Sequence, residues 1–245
     1  MKKTDTLVYE MGKKAFLSKQ KKLNLLRKNK TLEDLYFERI QKSSSMYRTL
    51  ETKKGYDANK VLQEKIEEFP WDQSPVIIAG GSFNREKRKT KCTPSSKKVI
   101  DTLMDTYNPK EVFFVIGHTL SGYEEYLLSH NKKGFKIYCI VPSILTKTQA
   151  QRLKKANVGI RVSTESLAMG LYKSFNYEIF ERRPSTVFAF DGNSAVLNLV
   201  QEAHNGKGKA TIFLSDETEL LKEKAQSLYG YVEVFHTAED VLSKL

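Results

Sequence analysis

The chain has 245 residues, a formal net charge of +12, 40% hydrophobic residues and two cysteines. That length and apolar content suffice for a sizeable core, arranged as one large domain or as one domain with an appendage. No stretch approaches the roughly 18 consecutive apolar residues that span a bilayer, and residues 1–30 are too charged for the apolar segment of a secretory signal. A cytoplasmic protein with no membrane partner is expected. Cys92 and Cys139 make neither a disulfide framework nor a zinc spacing, and His118, His130, His204 and His236 are scattered, so neither a metal nor a cofactor is expected.

The positive charge favours polyanionic partners or anionic small ligands. Residues 1–30 hold ten Lys or Arg against Asp5 and Glu10, a local net charge of +8. Residues 1–72 read as a basic, helical N-terminal segment. Thr31 is placed to cap a helix with Glu33 and Asp34 in its first turn, and a second helix is expected over 58–68. "FPWDQSP", with two prolines around Trp71, marks the boundary.

From residue 73 to 245 the texture changes. Apolar runs at 76–79, 112–117, 136–141, 159–162, 186–190, 210–214 and 231–235 read as strands, and 95–107, 122–131, 147–156, 164–175, 195–205, 217–228 and 238–245 as helices between or after them. Continuous Val/Ile/Phe runs suit strands buried on both faces, and regular alternation with helices argues for a parallel sheet covered on both sides. The fold class expected is α/β: a Rossmann-like, three-layer domain with a mainly parallel sheet, preceded by the basic helical segment.

In such a sheet ligands bind beyond the carboxyl ends of the strands. There the sequence places Gly80, Gly81 and Ser82, then Gly117, His118, Thr119, Leu120, Ser121 and Gly122, then Pro142 and Ser143, then Asp191, Gly192, Asn193 and Ser194, then Ser215 and Asp216. Glycine lets a backbone approach a ligand, while free amides and helix N-termini favour an anion. Any one of these loops also reads as ordinary turn and cap chemistry; the convergence of five argues for a ligand. There is no G-x-x-x-x-G-K-[ST], no G-x-G-x-x-G after the first strand and no G-x-S-x-G. A hydrolytic triad from Ser121, His118 and Asp191 has no support in the spacing.

On "VIIAGGS", "VIGHTLSGYEE" and "RRPSTVFAFDGNSAVLNLVQEA" followed by "KATIFL", residues 75–216 resemble the SLOG superfamily, which includes the Lonely Guy nucleotide hydrolases and the DNA-processing protein A family. The resemblance implies that Gly80, Gly81, Ser82, Gly117, His118, Thr119, Ser121, Gly122, Asp191, Gly192, Asn193 and Ser194 line a nucleotide pocket. Phosphate would sit on amides near Ser194, with Arg182 or Arg183 beside it. Glu124 and Glu125 are the acidic, potentially catalytic candidates. One position departs: Asn198 stands where the Lonely Guy motif carries its glutamate, and an amide cannot act as a general base.

Each residue also has a structural reading. Glu124 and Glu125 fit first-turn acids of a helix, Arg182 and Arg183 a solvated connector, and Asp191 a helix cap. The expected function is binding of a nucleotide-derived ligand, as a sensor or effector subunit and a homo-oligomer. The alternatives are hydrolysis of an N-glycosidic bond in a nucleotide or NAD, and single-stranded nucleic-acid binding through the basic N-terminus and the basic stretch 84–91.

Overall fold

A computed structural model describes residues 55–80, 92–164, 168–190, 194–205, 210–215 and 233–244. The expectations for the basic segment 1–30, the helix at Thr31 and the basic stretch 84–91 fall outside these residues, as does the helix expected over 217–228. The chain divides into two compact units, Met1–Gly55 and Tyr56–Leu245. Residues 56–72, assigned above to the N-terminal segment, thus belong to the second unit.

Among the described residues that unit is built on a sheet of seven strands, all paired in parallel: β2 (Ser74–Ala79), β3 (Val112–Ile116), β4 (Ile137–Val141), β6 (Gly159–Val162), β7 (Ser185–Ala189), β8 (Ala210–Ser215) and β9 (Glu233–Phe235). Their order across the sheet is β6-β4-β3-β2-β7-β8-β9. The chain builds outward from β2 in one direction, then returns to β2's other side and builds outward again. This is a doubly wound parallel sheet, compatible with the Rossmann-like expectation. Beside it, β1 (Tyr56–Asp57) and β5 (Ile144–Leu145) form a small antiparallel pair.

The strands are apolar on both faces because both are covered. β3 and β4 are buried at every position. One face carries α2 (Pro94–Thr106), α3 (Tyr123–His130), α4 (Lys147–Lys155) and α6 (Ala238–Leu242), through Val99, Leu103, Leu127, Leu153 and Val241. The other carries a 3₁₀ segment (Ala168–Phe175), a π turn (Tyr177–Glu181) and α5 (Ser194–Asn205), through Leu171, Phe175, Ile179, Leu199 and Val200. α1 (Ala58–Val61) precedes a short 3₁₀ turn (Gln63–Lys65).

Local chemistry sets the helix starts. Pro94 follows the N-cap Thr93, whose side chain accepts from the Ser96 N–H. Thr146 and Gln149 cap each other reciprocally at α4, and Thr237 and Asp240 do so at α6.

Two expected helices take another form. The segment 58–68 leaves the helix after Val61 because its later residues serve the sheet edge: Ile66 bridges Ile160, and the Glu67 N–H donates to the Ile160 carbonyl at 3.2 Å. An edge strand's open carbonyl outweighs a further helical turn. The described part of 164–175 is 3₁₀ rather than α and runs into the π turn. There, Glu178 is drawn to Arg161, which lies buried on β6 between Phe69 and Phe175 and pairs with Glu68 at 2.7 Å and Glu178 at 2.9 Å.

Candidate functional site

The switch point of the sheet lies between β2 and β7, the central strands from which the two halves wind apart. Their pairing runs to Ala79 and Ala189, and the Phe190 N–H extends it to the Ala79 carbonyl at 2.9 Å. The two following loops therefore leave the sheet side by side. One starts with Gly80, whose φ of 128° is a conformation that side-chain-bearing residues rarely adopt. The other leads into the N-terminus of α5 at Ser194. Gly81 and Ser82 in the first loop, and Asp191, Gly192 and Asn193 in the second, lie outside the described residues.

The neighbouring loop, Gly117 to Gly122, follows β3, whose Ile116 pairs with Ile78 of β2. Its interior is organised by Glu124, the second residue of α3, whose side chain turns back into the loop. The Gly117 N–H donates to Oε1 at 3.2 Å, and the Thr119 hydroxyl donates to Oε2 at 2.8 Å. The backbones of Leu120 and Ser121 hydrogen-bond the same carboxyl group, and the Ser121 hydroxyl reaches Thr119 Oγ1 at 3.3 Å. From the other side, Cys139 of β4 donates its thiol to the Gly117 carbonyl at 2.9 Å.

Gly117 is small for a reason other than phosphate. A Cβ there would lie 2.6 Å from Glu124 Oε1. The loop turns through Leu120 at a φ of 48° and Gly122 at 62° before α3 begins. A positive φ at leucine stores strain that the hydrogen bonds around Glu124 hold in place.

Burial controls the charge here. Glu124 is 4% exposed, and desolvation pushes its carboxyl up to about 7 against the opposing pull of its hydrogen bonds. His118, 9% exposed, is pushed down to about 4 by burial and is neutral near neutral pH. The Cys139 thiol is raised well above its ordinary value by burial and then by Glu124. The Tyr172 phenol is raised by burial, then by Glu124 and Cys139.

The remaining candidates separate. Glu125 is exposed in the first turn of α3, outside the cluster around Glu124. Arg182 and Arg183 do not join the strand-end loops as the expected phosphate clamp. They precede β7 and so stand at the amino-terminal end of the sheet. Arg182 stacks on Trp71 at 3.9 Å, and Arg183 Nη1 donates to the Asp72 carbonyl at 3.1 Å, both partners preceding β2. Asn198 lies on α5, partly buried and hydrogen-bonded or otherwise engaged.

The sequence offered Glu124 as an acidic site candidate or as a first-turn helix acid; it does lie in the first turn of α3, but the turn of its carboxyl onto its own loop was not among those readings. The participation of Cys139 and Tyr172 had no sequence signal beyond their apolar surroundings. Among the described residues no three His, Cys, Asp or Glu side chains gather to hold a metal, and no helix is long and apolar enough to cross a membrane. No protein-family model, no curated protein and no solved structure matches the chain.

Proposed function

We propose that the chain binds a nucleotide-derived ligand in the crevice at the carboxyl ends of β2 and β7, as the recognition domain of a sensor or effector of Rossmann-like, SLOG-type fold. The observation that carries this reading is the switch point itself. Two adjacent strands end together, one in Gly80 at a φ of 128° and the other leading to the N-terminus of α5. Open parallel sheets bind their ligands at such a place, and amides at a helix N-terminus suit a phosphate. Binding is favoured over N-glycosidic cleavage because Glu124 spends its carboxyl on its own loop and Asn198 carries no acid.

The experiment is native mass spectrometry of freshly purified protein for a copurifying phosphate-bearing molecule, followed by thermal-shift titration with AMP, NAD and ADP-ribose. A stabilisation abolished by Ser194→Arg, with no free base released, supports the reading. Stabilisation untouched by Ser194→Arg, or the absence of any copurifying molecule and of any shift, rejects it. Steady release of free base, lost in Glu125→Gln, replaces binding with hydrolysis.

A further inference from the structure

From Tyr126 to Thr164 the sequence contains no Asp or Glu and eight Lys or Arg. This run is one contiguous piece of the fold: the end of α3, β4, β5, α4 and the edge strand β6. Arg161 is spent internally, buried and paired with Glu68 and Glu178. The other seven cations are exposed.

Four of them, Lys147, Arg152, Lys154 and Lys155, lie on α4. That helix buries Ala150 and Leu153 against the sheet and turns Arg152 and Lys155 outward, with Thr148 and Gln151 exposed between the cations. Lys132, Lys133 and Lys136 lead into β4. Because Tyr138 pairs with Gly159, the start of β4 lies beside the start of β6, at the end of the sheet where α4 finishes. Lys65 reaches the same end and donates to the Ala156 carbonyl. Acids are set among them too: Glu64, Glu67 and Glu68 are exposed on the segment beside β6, Glu67 lining with Lys65 and Lys136 an open cavity of about 380 Å³ and Glu68 pairing with Arg161.

We infer that this basic edge of the sheet, centred on α4, is a docking surface for a nucleic-acid strand, separate from the ligand crevice. Four cations along a nine-residue helix, about 13 Å at 1.5 Å per residue, approach the charge density of a nucleic-acid strand, one phosphate per about 3.4 Å. The outward face of α4 is polar between its cations, with no apolar side chain to insert into a lipid surface, which favours a phosphodiester backbone over a membrane. Backbone contacts of this kind are strongly salt-dependent and indifferent to base sequence. The Lys and Arg of residues 1–30 are a separate basic segment, so the test must distinguish the two.

The test uses the full chain and fluorescence anisotropy with labelled single-stranded DNA and RNA of about 20 nucleotides, from about 50 to 300 mM salt. The triple variant Lys147→Glu/Arg152→Glu/Lys155→Glu removes three exposed cations without touching Ala150, Leu153 or the Thr146 cap. Wild-type binding should weaken as salt rises. The variant should bind at least about tenfold more weakly at low salt, with the log–log salt slope shallower by about 2, since each lost contact to a single strand removes about 0.7. If acids near the C-terminus of α4 unfold the protein, the corresponding glutamine variant supplies the same comparison. Unchanged affinity and slope in the folded variant would assign binding to residues 1–30 and overturn the inference. So would a wild-type chain that binds neither oligonucleotide, or one that binds phosphatidylserine vesicles alone.

Discussion

Glu124 gives the sharpest prediction, because its carboxyl is enclosed and its folded value, about 7, lies well above the ordinary 4.5. Folding favours its protonated form, so its contribution to stability is fully present below about pH 4.5. That contribution is lost progressively as the unfolded chain ionises and the folded one does not, and becomes constant above about pH 7. The full difference of about 2.5 pKa units corresponds to about 3 kcal/mol, and the part between about pH 5 and 8 to about 2–3 kcal/mol. Glu124→Gln keeps an acceptor for the Gly117 N–H, lets the Thr119 hydroxyl rotate to accept, and cannot ionise.

The assay is thermal or urea unfolding of both proteins across this pH range, reading the difference between them so that all other titrating groups cancel. The variant should be slightly less stable than wild type near pH 5 and gain on it steadily to pH 8. For a chain of this size the change amounts to roughly 5–10 °C in Tm. A difference that stays flat from pH 5 to 8 would refute the burial argument and show Glu124 ionised throughout, held by its hydrogen bonds.

Four further expectations follow from neighbouring geometry. His118, pushed down to about 4 by burial, contributes stability that is present above about pH 6.5 and lost as pH falls toward 4; His118→Gln should therefore remove up to about 3 kcal/mol of acid sensitivity, seen in unfolding midpoints at pH 4 and 7. Gly117→Ala should destabilise by about 2 kcal/mol or more, since its Cβ would displace the Glu124 carboxyl, and should cost at least about 1 kcal/mol less in a Glu124→Ala background, as a double-mutant cycle would show. Arg161→Ala should cost about 2–4 kcal/mol by opening a gap between Phe69 and Phe175, whereas Arg161→Met should cost less, because it fills that gap and loses only the ion pairs to the largely exposed Glu68 and the partly exposed Glu178. Thr146→Val should cost about 1 kcal/mol by removing the reciprocal cap of α4, measurable by urea denaturation.

The sheet was legible because its strands are buried on both faces. Runs such as Val112–Ile116 and Ile137–Val141 have one reading once helices alternate with them. The two-residue strands β1 and β5 carry too short a pattern to register, and the 3₁₀ and π segments before β7 share the apolar spacing of an α-helix. At the site, Glu124 and Glu125 are adjacent first-turn acids with opposite fates, one turned into the loop and one into solvent. The turn-by-turn spacing distinguishes their directions only when the path of the preceding loop is known. The placement of Arg182 and Arg183 was available from order alone. Residues just before a parallel strand lie at its amino-terminal end, whatever motif they resemble.

The occupancy of the Gly117–Gly122 loop bears on where a phosphate can sit and how tightly. Amides of that loop already face a carboxyl group of the chain itself, so an anionic ligand bound as proposed would be left with Gly80 and the N-terminus of α5. Glu124 is uncharged below about pH 7 and carries a buried negative charge above it. Since Ile116 pairs with Ile78, the loop emerges one strand spacing, about 4.8 Å, from the chain leading to Gly80. At about 10 Å and an effective dielectric of about 20–40, that charge opposes each phosphate charge by about 1–2 kcal/mol. Affinity for a dinucleotide, whose phosphodiester charges are constant across this range, should therefore fall by roughly five- to tenfold as pH rises from about 6 to 8, tenfold being the ceiling for one group titrating near 7. The same titration on Glu124→Gln should be nearly flat. Calorimetric Kd values that rise equally with pH in both proteins would trace the effect to another group, and values independent of pH in wild type would place the ligand beyond the reach of Glu124.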